Sequence, residues 1–397
     1  MSLPRIIFVN RVYWPAQAAT AQLLTDLAEG LAARGWPVRV VAAGEGGGLH
    51  EGVTIHRTGP GEQHGGLLSR WLNYRRFRRQ AATTLEGLLQ PGDIVVPLTD
   101  PPLLGSALSA LAAGRGAHVV HWIQDIYPEI VTAHLGAAAF PVRLLQPRRD
   151  AAWRTAARCV TLGRDMADAI ARRGVAAGRI TVVPNWAPRE LHAPATAAEI
   201  AGRRAAWGLT EKFVVAYSGN LGRVHEFAAL LDAAEELKAN PAIAFVFIGT
   251  GARFAEVRAA VASRDLANVR FLPPEPRTQL AGALAAADAH FVTLKPAFAD
   301  LVYPSKLAGV LAAGRPVLFV GLADGEIARF LATEQCGAAF APGDGARLAA
   351  TLVQWQADPA RGAPLGRNAR AAYERHFTFE AALAQWEEIL REAAPDR

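Results

Sequence analysis

The sequence predicts an α/β protein made of two doubly wound domains. An apolar strand pattern at residues 6–9 leads through a loop to a helix at 20–33, and a second strand follows at 38–42. The same order begins again with a strand at 213–217 and a helix from about residue 226 to 238. Strands that alternate with helices favour a parallel sheet, and such sheets bind ligands at the C-terminal ends of their strands.

Composition fits this architecture and restricts the class of protein. The chain has 397 residues, of which 51% are hydrophobic, enough for two cores. Its apolar runs stop well short of the ~20 residues that a membrane helix needs, and Arg5 leads directly into the first strand where a signal peptide would continue. The spacing of Cys159 and Cys336 is not that of metal ligands. We therefore expect a cytoplasmic protein without a disulfide framework or a zinc site.

Charge is distributed unevenly along the chain. Residues 1–205 hold 23 arginines and no lysine against 15 acidic residues, a net charge of +8, and the remainder carries −2. This asymmetry predicts an anionic partner for the first half. No recognised nucleic-acid-binding module accompanies the arginines, so nucleic acid is not expected as that partner.

The segment from residue 303 to 320 predicts a loop, a short helix and a buried strand. Ser305 is a favoured residue for a helix N-terminus, and Gly314 is a favoured helix stop. Backbone N–H groups at a helix start can bind phosphate, and Lys306 adds a full positive charge. The pattern predicts a phosphate site at Ser305 and Lys306. An ordinary αβ unit with a surface lysine is the alternative interpretation.

Two other strands of the second half are followed by glycine-containing loops. The residues of interest are Gly219, Asn220, Gly222 and Arg223 in the first loop, and Gly249 and Gly251 in the second. Glycines let the backbone approach a ligand closely, and an arginine can bind a diphosphate through two nitrogens. The second loop lacks the third glycine of a dinucleotide-binding fingerprint, because Phe254 stands there. A surface β–α turn is the alternative for the first loop.

In the first half, polar side chains follow two predicted strands. Asp125 comes just after an apolar strand, where an open sheet places its chemistry, and it predicts a base or a hydrogen-bond acceptor. A helix-capping aspartate is the alternative. His121 lies on the same strand face, although a core histidine would show the same pattern. Asn10, Tyr13 and Thr20 surround the loop after the first strand.

Residues 67–79 predict a basic amphipathic helix. Trp71, Tyr74 and Phe77 are spaced for one stripe, and five arginines surround them. Such a helix suits the surface of an anionic membrane, and core packing with a solvated arginine face is an equal alternative. The membrane hypothesis assigns contacts to Trp71, Arg75, Arg76, Arg78 and Arg79.

Together these motifs resemble the retaining glycosyltransferases of the GT-B fold known as family 4 or group 1. The Pro-Ser-Lys run at 304–306 before Ala-Ala-Gly-Arg-Pro at 312–316, and Gln-Asp-Ile-Tyr-Pro at 124–128, are similar to the bacterial branch that builds surface polysaccharides. The resemblance covers nearly the whole chain. It implies two Rossmann-like domains facing across a cleft, at 1–187 and 188–375, with 376–397 as a helix that returns to the first domain.

The resemblance also implies an activity and roles for the residues. The second domain would hold a nucleoside diphosphate sugar, expected to be UDP-linked, with an N-acetylated hexose as a candidate sugar. The first domain would hold a glycan or lipid-linked acceptor. Arg223 and Lys306 would stabilise the departing diphosphate, and Asp125 would contact the sugar or the acceptor hydroxyl. No metal ion or other cofactor is expected, in keeping with the lack of an Asp-x-Asp pair. The remaining expected contacts are Gly219, Asn220, Gly222, Gly249, Gly251, Ser305 and Glu326 for the donor, and Asn10, Tyr13, Thr20 and His121 for the acceptor or sugar cleft.

One departure from the family concerns two glutamates that stand eight residues apart in many members. Gly309 occupies the second of these positions and Leu301 the first. The usual glutamate contact to the donor ribose therefore lacks its residue, and Asp300 and Glu326 are the nearby substitutes.

Other functions stay open from the sequence. A sugar-nucleotide epimerase or another GT-B enzyme would use the same donor site with acid–base residues other than Asp125. An NAD-linked oxidoreductase would need the complete glycine fingerprint that is lacking here. A non-catalytic binding module would be unaffected by Asp125→Ala. We expect a glycosyltransferase of the hexosyltransferase type, working in the cytoplasm with peripheral contact to the inner face of the membrane.

Overall fold

The computed structural model describes residues 3–60 and 66–394, which separate into two compact units. The first unit takes the chain up to Pro184, Asp300–Tyr303 and the chain from Glu380 onward, and the second takes Asn185–Ala299 and Pro304–Phe379. The division after Pro184 falls three residues before the boundary expected at 187. The sequence pattern contains no indication that residues 300–303 join the first unit. Residues 1–2 and 395–397, included in the expected domain ranges, lie outside the described residues.

The first unit is built on a largely parallel sheet. Its strands are β1 (Ile6–Val9), β2 (Val38–Ala42), β3 (Gly48–His50), β4 (Val53–Arg57), β5 (Ile94–Pro97), β6 (His118–Ile123), β7 (Arg158–Thr161) and β8 (Ile180–Val182). They lie in the order β3-β4-β2-β1-β5-β6-β7-β8, with β3 antiparallel to β4 and the other pairs parallel. All four residues of β1 are buried, as expected for a central strand with both faces covered.

Helices connect these strands and cover the sheet. They are α1 (Ala19–Ala33), α2 (Leu67–Leu88), α3 (Leu104–Gly114), α4 (Glu129–Leu135), α5 (Phe140–Arg143), α6 (Gln146–Thr155) and α7 (Arg164–Ala171). Phe77, Ala81 and Leu85 of α2 pack into one apolar cluster with Ile7 of β1 and Val95 of β5. The spacing of four residues places these three side chains on one face of the helix.

The second unit repeats the plan with a wholly parallel sheet of six strands. These are β9 (Phe213–Ser218), β10 (Ile243–Ile248), β11 (Val269–Leu272), β12 (Ala289–Thr293), β13 (Val317–Val320) and β14 (Gly337–Phe340), in the order β11-β10-β9-β12-β13-β14. Its helices are α8 (Ala197–Trp207), α9 (Ala228–Glu236), α10 (Phe254–Ser263), α11 (Leu280–Ala285), α12 (Lys306–Ala312), α13 (Glu326–Glu334), α14 (Gly345–Ala357) and α15 (Pro359–His376). The apolar runs predicted as strands at 213–217, 244–248 and 317–320 thus lie in the sheet.

The last helix, α16 (Phe379–Ala393), packs on the first unit. Its Trp386 is fully buried, with a ring centre 4.9 Å from that of Trp122 on β6. Glu387 accepts a hydrogen bond of 3.1 Å from Trp36 Nε1 and pairs with Arg34. These contacts attach the C-terminal segment to the end of α1 and to the sheet.

One prediction about α2 is wrong. Trp71, Tyr74 and Phe77 do not share one stripe: Phe77 is 3% exposed, Trp71 is 49% exposed, and Tyr74 is half-buried between these extremes. The reason is geometric, because each residue turns the helix by ~100°, so six residues separate Phe77 from Trp71 by about 120°. The helix therefore combines both alternatives, with Phe77 in the core and Trp71 among arginines at the surface.

Within residues 3–60 and 66–394, we find no helix of the length and apolar character that crossing a membrane requires.

Candidate active site

In the second unit, the strand order reverses between β9 and β12. Three loops meet at this point: those that follow β9 and β10, and the one that leads into α12. Open α/β sheets bind ligands at such a point, beyond the C-terminal ends of the strands. The loops after β9 and β10 are joined by backbone hydrogen bonds, from Gly219 N to Ile248 O and from Leu221 N to Thr250 O, both 2.8 Å. The glycine-containing loops predicted from the sequence are therefore neighbours at this edge.

Glycine is required where these loops approach each other. A Cβ atom on Gly249 would lie 2.2 Å from Gly219 O, and one on Gly251 would lie 2.5 Å from Leu221 N, both closer than side chains allow. Gly219 has φ +125°, and a Cβ there would lie 2.8 Å from Lys306 Cε. Because they have no side chain, Gly249 and Gly251 let the two loops approach each other closely, and Gly219 leaves room for the Lys306 side chain above the backbone.

Lys306, the first residue of α12, sends its side chain over the loop that follows β9. Its Nζ lies 5.0 Å from the ring centre of Tyr217, a cation–π distance. Burial lowers the pKa of Lys306 to about 8. The structure therefore places a largely protonated, poorly hydrated cation at the strand ends, where it can attract an anionic group strongly.

His225 is a residue of this site that the sequence reasoning missed. Its Nε2 lies 3.2 Å from Lys306 Nζ, and its Nδ1 lies 2.7 Å from the carbonyl oxygen of Thr293 at the end of β12. The ring is 8% exposed. Its position two residues after Arg223 was the available signal, but sequence spacing does not show that the ring reaches a lysine 81 residues away.

The other expected donor residues lie around the same loops. Asn220, Arg223 and Ser305 are exposed, and Gly222 lies beside the Asn220 side chain. Ser305 occupies the N-cap position of α12, but its side chain makes no capping hydrogen bond, in contrast to the preference that suggested it.

Gly309 does not face the strand ends. A Cβ at this position would lie 3.5 Å from Leu191 Cδ1 and 3.6 Å from Leu284 Cδ1, in ordinary van der Waals contact with apolar side chains. A carboxylate here would therefore enter an apolar environment. Glu326, the suggested substitute, is the first residue of α13 and half-buried.

In the first unit, Asp125 follows β6 and its backbone is held by residues 300–303. It forms an antiparallel bridge with Val302, and Ile126 N donates to Leu301 O at 2.9 Å. Burial and, to a smaller extent, the charge of Asp100 together raise the pKa of Asp125 to about 6. A carboxyl group that titrates near neutral pH can accept a proton from a hydroxyl, as a general base does.

An ion-pair network contacts the loop that carries Asp125. Arg149 is buried, and its Nη2 and Nη1 lie 2.6 and 3.0 Å from the carboxylate oxygens of Glu129. Arg173 pairs with the same carboxylate at 2.7 Å, and Arg149 also donates to the carbonyl oxygen of Tyr127. Glu129 therefore has a structural role, although it directly follows the sequence motif that contains Asp125.

The predicted acceptor-side residues are mostly covered. His121 is 2% exposed, lies 3.2 Å from Ser109 Oγ through Nε2, and has its pKa lowered to about 4 by burial. This is the core histidine that the sequence analysis left as the alternative. Asn10 and Tyr13 are also buried, and Asn10 Nδ2 donates to Val12 O at 2.7 Å within its own loop. Of the four residues, Thr20 alone is half-exposed.

A basic groove runs along the exposed side of α2 in the same unit. It has a volume of about 610 Å³ and is lined by Arg57, Thr58, Leu72, Arg75, Arg76, Arg79, Gln80, Thr83 and Thr84. The Arg75 guanidinium lies 4.6 Å from the ring centre of Trp71. Arg78, expected at the same surface, is half-buried and does not line the groove.

Of the side chains that the structure describes, no three His, Cys, Asp or Glu residues come together as a metal site would require. Cys159 and Cys336 are both buried and unbridged.

Comparison with curated proteins finds two bacterial relatives. WbjE of Pseudomonas aeruginosa, named as a glycosyltransferase, is 30% identical over 269 residues, 65% of this chain and 64% of that protein. WcaI of Escherichia coli K12, named for glycosyl transfer in colanic acid biosynthesis, is 32% identical over 155 residues, 39% of this chain and 38% of that protein. The matched regions span less than two thirds of either relative.

Comparisons of the fold and with family models extend over most of the chain. The structure of Alr3699/HepE from Anabaena in complex with UDP-glucose has a TM-score of 0.74 at 17% identity, covering 97% of this chain and 99% of that one, and confirms the predicted GT-B fold class. The family model described as a glycosyl transferase 4-like domain matches residues 19–186, and the one described as glycosyl transferases group 1 matches residues 202–372. The two models together match most of the chain, which belongs to the group 1 glycosyltransferases.

Proposed function

We propose that this protein transfers a sugar from a UDP-linked donor, with retention of configuration, to a glycan or lipid-linked acceptor in surface polysaccharide biosynthesis. The observation that carries the proposal is the placement of Lys306 over Gly219 at the strand ends of the second unit. Membership of the group 1 glycosyltransferases makes the bound anion a sugar nucleotide.

The choice of UDP and of the pathway rests on the proteins that this chain resembles. HepE was solved with UDP-glucose, and WcaI carries a name from colanic acid biosynthesis. An N-acetylated hexose is the sugar we favour, and the cytoplasmic side of the membrane is where we place the reaction.

Stabilisation of the leaving diphosphate is the main electrostatic requirement of the reaction. Negative charge grows on its oxygens as the glycosidic bond breaks, and fixed cations in a water-poor site stabilise that charge. Lys306 is such a cation, and the exposed Arg223 in the adjoining loop can supply a second one. Two cations can perform this task without a metal ion, so the proposal includes no metal cofactor.

The first unit supplies the group that meets the acceptor. Asp125, with its pKa raised to about 6, is deprotonated in the larger part of the molecules at pH 7. In this proposal it accepts a hydrogen bond or a proton from the hydroxyl that receives the sugar.

The proposal includes peripheral contact with an anionic membrane through the groove-lining face of α2. Three exposed arginines, Arg75, Arg76 and Arg79, lie beside the exposed side chains of Trp71 and Leu72. Basic residues at a membrane surface contribute ~1 kcal/mol each, and an exposed tryptophan suits the headgroup region.

Cosedimentation with phosphatidylserine vesicles tests this contact. We expect the triple Glu variant at positions 75, 76 and 79 to lose binding. The matched control replaces three exposed arginines of the second unit, Arg258, Arg361 and Arg367, by Glu. Equal loss in both variants would show general charge attraction, and retention in the first would remove the membrane contact from the proposal.

The function itself is tested by ligand stabilisation followed by product analysis. A ligand that binds the folded state raises the melting temperature, so UDP, GDP, ADP, TDP, NAD and NADP are compared with and without magnesium. We expect stabilisation by UDP. A stabilising sugar nucleotide is then incubated with acceptor glycans, and NMR of the product reports the anomeric configuration. Stabilisation by NAD or NADP alone, or epimerised donor as the product, would contradict the proposal.

A further inference from the structure

The ammonium group of Lys306 is held in place by its surroundings. The side chain crosses Gly219 and approaches the face of Tyr217, and its Nζ ends 3.2 Å from His225 Nε2. A lysine side chain has four rotatable bonds, and fixing it costs up to about 2 kcal/mol of conformational entropy. A fixed hydrogen-bond acceptor offsets part of this cost before any ligand arrives.

The direction of the His225–Lys306 hydrogen bond follows from the other side of the ring. His225 Nδ1 lies 2.7 Å from the Thr293 carbonyl oxygen, which can only accept, so Nδ1 carries the proton. Nε2 of the neutral ring is then an acceptor, and a protonated lysine can only donate to it. A neutral imidazole with a fixed tautomer is what this contact needs.

The His225 ring is kept neutral and in position. Burial and, to a smaller extent, the charges of Lys306, Arg253 and Lys295 together lower its pKa to about 4, against the hydrogen bond to Thr293, which raises it. Arg253 Nη1 also donates to the carbonyl oxygen of His225 at 2.5 Å.

Both acidic residues near this loop are engaged by other groups. Glu256 pairs with Arg253, and Glu226 accepts a hydrogen bond of 2.6 Å from Ala228 N. The charges that act on the His225 ring are those of the cations Lys306, Arg253 and Lys295, and Glu256 compensates Arg253.

We infer that His225 is a positioning residue for Lys306, accepting a hydrogen bond that aims the ammonium group at the donor diphosphate. The inference rests on the proposed function, since it concerns the same anion site. The ammonium has three N–H groups, so it can donate one to His225 and still offer others to phosphate oxygens. His225 need not touch the donor and acts through Lys306.

This role has a pH signature. A hydrogen bond to the charged form of a group favours that form, so the contact with His225 raises the pKa of Lys306 above the value that burial alone would allow. Removal of the acceptor in His225→Leu lowers that pKa, and the alkaline decline of donor binding moves to lower pH. His225→Gln supplies an amide oxygen that can accept from the ammonium without titrating, and restores the wild-type position of the decline.

The experiment measures UDP affinity by calorimetry and donor kcat and KM between pH 6 and 10. For His225→Leu we expect about tenfold weaker UDP binding, the effect of losing one hydrogen bond to a charged group, together with the acid shift. For His225→Gln we expect near wild-type values. His225→Asn, whose amide is one carbon shorter and falls short of Lys306, should resemble the leucine variant and replaces it if that variant does not fold.

The matched control is His290→Gln. His290 is a second buried histidine of this unit, with Nε2 2.8 Å from Leu284 O. Its replacement tests for general loss of stability, and should leave the alkaline decline unmoved. Wild-type affinity and pH dependence in both His225→Leu and His225→Asn would overturn the inference. A wild-type protein that binds no nucleoside diphosphate would instead overturn the proposed function.

Discussion

Arg149 and Glu129 form a two-point ion pair with N–O distances of 2.6 and 3.0 Å, and Arg149 also donates to the carbonyl oxygen of Tyr127 in the loop that carries Asp125. Burial alone would raise the pKa of Glu129, but hydrogen bonds and charges from Arg149 and Arg173 outweigh it and lower the pKa. The pair thus stabilises the fold above the ordinary carboxyl pKa, and this stabilisation is lost as pH falls through the lower folded-state pKa.

Glu129→Ala should destabilise the first unit by about 3 kcal/mol, because the buried guanidinium of Arg149 loses two hydrogen bonds and keeps only Asp150 as a carboxylate partner. Urea unfolding at pH 7 measures the loss, which should shrink at pH 3. The matched control is Glu86→Ala, which breaks an exposed pair with Arg115 and should cost less than about 1 kcal/mol. Equal losses of unfolding free energy in the two variants would show that the Glu129 network stabilises the protein no more than an exposed ion pair does.

Asp125→Asn should abolish most turnover while UDP binding is retained. In the wild type, kcat/KM should fall on the acid side with a pKa of about 6, since the protonated carboxyl cannot accept from the acceptor hydroxyl. The raised folded-state pKa also means that stability decreases as pH rises from about 4 to 6, and the asparagine variant should lack this decrease. Steady-state rates across pH and calorimetry with UDP check both parts. Unchanged turnover in the variant would remove Asp125 from the mechanism.

Lys306→Met should lose UDP binding and gain stability. Burial lowers the pKa of Lys306 from 10.5 to about 8, so the unfolded chain binds the proton more tightly between these values. Stability of the wild type therefore rises with pH from 8 to 10.5, and the full penalty, up to about 3 kcal/mol, applies below pH 8. Melting curves at pH 7 and 10 should show the gain of the variant mainly at pH 7.

The control for Lys306→Met is Lys238→Met at an exposed position, which should change neither UDP binding nor stability. Arg223→Ala should weaken donor binding without the gain in stability, because Arg223 is exposed. Retained turnover in both Lys306→Met and Arg223→Ala would contradict the assignment of the diphosphate site.

Gly219→Ala and Gly309→Ala should act in opposite directions. A Cβ at Gly219 would meet Lys306 Cε at 2.8 Å on a backbone with φ +125°, so UDP affinity and stability should both fall. A Cβ at Gly309, in the interior of α12, would make ordinary contacts with Leu191 and Leu284, and alanine there should add about 0.5–1 kcal/mol of stability with donor binding unchanged. Thermal melts with and without UDP separate the two outcomes.

Chelation of metal ions should leave turnover unchanged, since Lys306 and Arg223 carry the charge that opposes the diphosphate in our proposal. Rates measured after dialysis against EDTA, and again after addition of magnesium or manganese, test this expectation. A rate that collapses on dialysis and recovers with one metal would assign the leaving-group charge to that ion.

The repeated strand–loop–helix order was enough to predict the fold class, because apolar strands and their helices are local patterns. The motifs at 124–128 and 304–306 also pointed to the correct family from residues close together in the chain. Predictions failed where a side chain's direction depended on its surroundings. Trp71 and Phe77 were assigned to one stripe, whereas the packing of α2 buries Phe77 and exposes Trp71. Asn10 and Tyr13 were expected at the acceptor or sugar cleft, and their burial could not be read from the sequence.

The sequence by itself thus determined two doubly wound sheets, the loops that follow their strands, and the lysine and aspartate that stand at those loops. Tertiary structure alone decided which groups surround them. It places His225 beside Lys306, 81 residues away in the sequence, and pairs Glu129 with two arginines. It also forms the backbone bridge between Val302 and Asp125. The physical reason is that pKa values and hydrogen-bond directions depend on burial and on neighbours distant in sequence, which local residue patterns do not encode.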